Sequence, residues 1–93
     1  MHEIVPVPPG VWTRLSAQGA SITAATWLVN GPGPVRVNAT SGAAPSGTAS
    51  GYDYPPGRGE MNVALADFAP GVAGAATLWG WSDTGSSVMV SHA

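Results

Sequence analysis

Residues Ala75–Ser91 read AATLWGWSDTGSSVMVS. Two runs rich in β-forming residues, Ala75–Ser82 and Ser86–Ser91, flank Ser82-Asp83-Thr84-Gly85. Asp and Gly are turn residues, and Gly85 can supply the positive φ of a tight reversal, so the stretch predicts a β-hairpin. Within the first run Trp79 and Trp81 are two residues apart and share one side of a strand. Ala76 and Leu78 take the other side.

The same pattern extends back along the chain. Val35–Thr40 alternates, with Val35, Val37 and Ala39 on one face and Arg36, Asn38 and Thr40 on the other. Ser21–Asn30 reads as a longer strand, with Thr23, Ala25, Trp27 and Val29 on one face and Ile22, Ala24, Thr26 and Leu28 on the other. Glu60–Phe68 alternates with Met61, Val63 and Leu65 inward. Val11–Leu15 and Tyr52–Tyr54 are shorter strands. Glu3–Pro8 is extended, and Pro6 confines it to an edge or an arm because proline cannot donate to a ladder. Turns are expected at Pro8-Pro9-Gly10, Gly31-Pro32-Gly33-Pro34 and Pro55-Pro56-Gly57. Ser41–Gly51, SGAAPSGTASG, is low in complexity and reads as a surface loop. No apolar stripe of helical period extends past one turn. The fold expected is all-β: a small antiparallel β-sandwich or jelly-roll-like barrel of about seven short strands. Residues 1–9 are expected as an extended N-terminal arm and residues 10–93 as a single domain.

Composition narrows the function classes. Of 93 residues 9% are charged, against about 25% in an ordinary soluble domain. The net charge is -2, there is no cysteine or lysine, and the cations are Arg14, Arg36 and Arg58. So few cations leave no electrostatic footprint for nucleic acid. No apolar run approaches the ~20 residues of a membrane span, and a disulfide framework or cysteine-based zinc site is excluded. Met1, His2 and Glu3 lack the basic and apolar regions of a secretory signal. Leu, Ile, Val and Phe total only 17 residues, so Trp12, Trp27, Trp79 and Trp81 supply much of the bulk. A small core and a nearly uncharged surface lead us to expect a homo-oligomer.

No catalytic set emerges, and we expect no enzyme, no cofactor and no metal. Asp83-Thr84-Gly85-Ser86-Ser87 resembles the Asp-Thr-Gly-Ser-Ser loop of aspartic proteases, whose chemistry needs two aspartates sharing a proton. Only Val88–Ala93 follow it, leaving no room for a flap and closing strand, so it reads as a turn. His2 and His92 lie at opposite ends without a close-spaced partner, a weak metal signal. Neither stands in a context that would orient it as a base for a serine. The glycines form no phosphate cradle, and Pro6-Val7-Pro8-Pro9 matches a proline-rich ligand only loosely. The aromatics carry more. Trp79 with Trp81, and Tyr52 with Tyr54, could fill the sandwich, anchor a protein interface or stack on a sugar.

Pro9-Gly10-Val11-Trp12-Thr13-Arg14-Leu15, Ala43-Ala44-Pro45, Pro55-Pro56-Gly57, Leu78-Trp79-Gly80-Trp81 and Val88-Met89-Val90-Ser91 follow one another in an order that resembles small virion structural proteins of tailed bacteriophages. The resemblance implies a β-sandwich that decorates or cements a head, or forms the base of a spike, with no catalytic residue. It implies location in the virion, and phage capsid or other virion proteins as partners. The central loop here is longer and richer in Gly and Ser than that pattern. The expected interface comprises Ile4, Val5, Pro6 and Val7 on the arm, which would add to a neighbour's sheet edge, together with Tyr52, Tyr54, Trp79 and Trp81. The alternative expectation is a carbohydrate- or receptor-binding module of a tail fibre or spike.

Overall fold

Prolines and glycines punctuate the chain into eight strands: β1 (His2–Val7), β2 (Thr13–Arg14), β3 (Ala24–Val29), β4 (Val35–Thr40), β5 (Tyr52–Tyr54), β6 (Gly59–Ala64), β7 (Thr77–Trp81) and β8 (Ser86–Ser91). One helical turn, α1 (Leu65–Phe68), follows β6. This is a computed structural model describing residues 1–93.

The strands form two four-stranded antiparallel sheets, β1-β8-β3-β6 and β2-β7-β4-β5. Antiparallel pairs join β1 to β8, β2 to β7, β3 to β6 and β4 to β5. Every connection except β4–β5 therefore crosses from one sheet to the other. This nested pairing is the jelly-roll order. The two sheets stack as a sandwich and do not close into a barrel; β1, β6, β2 and β5 remain edges.

The crossing corrects the hairpin expected at Ala75–Ser91. A reversal does occur, with Gly85 at φ +94 and its amide donating to Ser82 Oγ at 2.9 Å. Yet β7 and β8 belong to different sheets, so the turn is an arch over the end of the sandwich. The apolar side chains explain it. Leu78 on β7 and Val88 and Val90 on β8 are all fully buried in one core, which requires the strands to face each other across it.

The core holds fourteen buried apolar residues. Val35, Val37 and Ala39 share one face of β4, and Ala25, Trp27 and Val29 one face of β3, as their alternation predicts, and the structure turns both faces inward. Trp27 lies at its centre, edge-on to Phe68 at 5.0 Å and to Tyr54 at 5.9 Å between centroids. Burying aromatic rings in this way offsets the shortage of aliphatic side chains.

Two further expectations change. Met61 is 83% exposed, not inward. Two residues of β6, Met61 and Asn62, oppose the single Thr26 of β3, and Asn62 takes φ +45. This bulge shifts the alternation by one and turns Met61 out. The segment expected as an extended arm is edge strand β1 of the chain's own sheet. Its Pro6 sits where a missing donor is tolerated, and Val7 is fully buried. The chain ends meet beside it: the Met1 amino group donates to the His92 carbonyl at 2.9 Å.

Candidate functional site

The expected interface residues separate into three places. Ile4 and Pro6 are exposed on edge strand β1, Val5 is half-buried and Val7 lies in the core. Tyr52 and Tyr54 share the inner face of β5 with their ladder partners Val37 and Val35. There they help seal the gap between the sheets: Tyr52 meets Phe68 and Tyr54 meets Trp27. Trp79 and Trp81 lie on the opposite, outer face of the same sheet. The Trp and Tyr pairs are thus not one platform.

The outward aim of the two tryptophans is set by what lies between and beside them. Leu78 and Gly80 are buried, and a Cβ at Gly80 would come within 3.2 Å of Leu15 and Val35 side chains. The inner face has no room for large residues at that point of β7. Trp79 Nε1 donates to Thr40 Oγ1 at 2.9 Å, and Trp81 Nε1 donates to Asp83 Oδ1 at 2.9 Å. Trp12 packs against Trp81 with centroids 5.7 Å apart.

The low-complexity loop Ser41–Gly51 is a strap laid over this outer face. Trp12 Nε1 donates to the Gly47 carbonyl at 2.6 Å, and Asn38 Nδ2 donates to Ser50 Oγ at 2.9 Å. Arg36 Nη1 donates to the Thr48 carbonyl. At Gly51 the strap enters β5 with φ +111, and a Cβ would sit 2.6 Å from the Val37 carbonyl oxygen, so only glycine lets the backbone pass. Composition marked this segment as a loop. Its docking depends on isolated polar contacts distant in sequence, which leave no periodic signal.

Between the strap, β4, β5 and the β7–β8 arch lies a cleft of about 360 Å³ lined by Pro34, Arg36, Thr48, Asp53, Trp81, Asp83 and Thr84. Arg36 binds Asp53 in a two-pronged pair, Nε to Oδ1 at 2.8 Å and Nη2 to Oδ2 at 3.1 Å. Those hydrogen bonds hold the Asp53 carboxyl below the usual carboxylate range and raise the Arg36 guanidinium above its ordinary value. Of the cleft residues, the sequence points to Trp81 as a binding residue and to Asp83 only as part of a turn motif. Arg36, Asp53 and Thr48 were missed, although the outward position of Arg36 on β4 was a usable signal.

A second surface occupies the outer face of the other sheet. Ile4, Met89 and Leu28 are register partners across β1, β8 and β3. Ile4 is 60% and Leu28 43% exposed. Beside them a groove of about 460 Å³ is lined by Leu28, Met61 and Met89 with Arg58 and Glu60 at its side. The groove between β5 and α1 contains Tyr54, whose hydroxyl donates to Glu60 Oε2 at 2.9 Å. Burial first, and that bond second, push its ionisation well above the usual tyrosine value.

The histidines are engaged locally. His2 Nδ1 lies 3.0 Å from Ser91 Oγ, and His92 Nε2 accepts the Ala17 amide at 3.0 Å. No group of three or more His, Asp or Glu side chains is placed to hold a metal ion. No protein-family model matches the chain, and searches of curated proteins and of solved structures find no match.

Proposed function

We propose that this chain is a structural virion protein that binds, and decorates or cements, a bacteriophage capsid. The observation that carries the reading is the apolar row Ile4–Met89–Leu28, extended by Met61, on the outer face of the β1-β8-β3-β6 sheet. Contiguous apolar surface on a small domain marks a contact face. Two of its side chains are methionines, which adapt to an irregular partner. Next to the row, β1 leaves one side of its backbone free for an added strand. The order of short motifs that resembles small virion proteins supports the same reading. So does the jelly-roll order, which recurs in capsid domains, though a fold alone carries no function.

The test is co-sedimentation of the purified chain with capsids of its own particle. Truncating Met1–Pro9 would remove buried Val7, so point changes on exposed residues are the sound variants. The wild type pellets with capsids, whereas Met61→Glu and Ile4→Glu remain folded and stay in the supernatant. A wild-type chain that never pellets overturns the proposal.

A further inference from the structure

We propose that the cleft beside Trp81 binds a neutral sugar ring. The inference stands apart from the capsid reading, because the cleft opens on the opposite sheet from the apolar row.

The lining selects among ligand classes. Trp81 is the apolar wall of a cleft otherwise lined by charged side chains, threonines and a proline. All three guanidinium nitrogens of Arg36 are already engaged, two by Asp53 and one by the Thr48 carbonyl. The two N–H donors left on Arg36 belong to a cation already paired with Asp53, so the cleft offers no unpaired cation to a phosphate or carboxylate. Arg36 against Asp53 and Asp83 leaves the lining with an excess of one negative charge, which repels an acidic ligand. What remains unused is Asp83 Oδ2, an acceptor, two N–H donors of Arg36, and the hydroxyls of Thr48 and Thr84, which both donate and accept. A basic side chain would use acceptors only. A pyranose uses everything present: its C–H face packs on an indole, and its hydroxyls both give and take hydrogen bonds.

The cleft is also prepared in advance. Asp83 holds the Trp81 indole, Arg36 holds Asp53, and Trp12 pins the strap that carries Thr48. Groups held before binding lose little freedom when the ligand arrives. At about 360 Å³ the volume lies at the lower end of small-ligand sites, enough for one or two rings. For a ring of about twelve heavy atoms, ordinary ligand efficiency gives a Kd of order 1 mM.

The experiment is titration of the ¹⁵N-labelled chain with glucose, galactose, mannose and N-acetylglucosamine, and in parallel with arginine amide, each to about 50 mM, well above the expected Kd. The expected result is saturable shifts from at least one sugar at the Trp81 indole and at the Thr48, Asp83 and Thr84 amides. Trp81→Ala abolishes them, and Asp83→Asn weakens binding at least about fivefold. Should Trp81→Ala lose its folded spectrum, Thr84→Val with Asp83→Asn decides, since both positions are exposed. Three outcomes overturn the proposal: no saturable shift with any sugar, shifts with arginine amide alone, or sugar shifts that survive these substitutions.

Discussion

The indole of Trp81 donates to the carboxylate of Asp83 two residues on, at 2.9 Å. The side chain that walls the cleft is therefore held by the first exposed residue of the arch linking the two sheets. Asp83→Ala frees the indole without opening the core. We expect a change in unfolding free energy of at most about 1 kcal/mol, as for an exposed hydrogen bond. The Trp81 indole resonance should move and broaden, that of Trp12 should shift with it because the two rings pack together, and that of Trp27 in the core should stay in place.

Trp27 fills the centre of the sandwich at 1% exposure and meets both Phe68 and Tyr54. Trp27→Ala should cost about 3–5 kcal/mol, the range for losing a large buried aromatic. Against a total stability of about 5–15 kcal/mol, urea unfolding should show a large drop in midpoint or no folded baseline.

Gly80 separates the two outward tryptophans and faces Leu15 and Val35. Gly80→Ala places a methyl 3.2 Å from both, and overpacking of this kind costs about 1–3 kcal/mol. A thermal melt that is unchanged or raised would mean that Leu15 moves aside freely.

Asp53 titrates below its ordinary value because Arg36 binds its charged form. The sign follows: the pair's contribution is fully present above about pH 4 and fades as the pH falls below it. The pair is exposed, so the effect on global stability is small. Carboxyl ¹³C titration should place the Asp53 midpoint below about 4, and Arg36→Gln should return it towards that value.

Tyr54 moves the other way, upward through burial and its bond to Glu60. Its contribution is present below about pH 10 and is lost as the pH rises further. With two tyrosines in the chain, Tyr52→Phe leaves Tyr54 as the sole reporter. Absorbance at 295 nm should stay flat through about pH 10 and rise only as the chain unfolds. An ordinary titration in the folded state would contradict the hydrogen bond and the burial.

The strands of this fold are readable in the sequence, and their partners are not. Val35, Val37 and Ala39 announce their side by alternation, and all three are fully buried. Turn residues mark most of the breaks. Alternation nevertheless states only that Trp79 and Trp81 share a side, and the small Gly80 between them decides that the side is outward. The Ser82–Gly85 turn states that the chain reverses, not whether the flanking strands pair or arch apart. Asn62 hides a bulge because asparagine tolerates positive φ without the signal a glycine would give. The cleft was least visible of all. It gathers residues from β4, the strap, β5 and the arch, and its only cues are the aromatic Trp81 and the outward position of Arg36.

The nested strand order bears on how the chain comes to fold during synthesis. β8, the last strand of the fold in chain order, lies between β1 and β3, and β7 lies between β2 and β4. Until residues 77–91 leave the ribosome, each sheet is split down its middle and β1 has no neighbour. Of the ladders, only β3–β6 and β4–β5 can form before then. Folding must wait for its most distant pairings, His2 with Ser91 among them, and contacts so far apart in sequence form slowly.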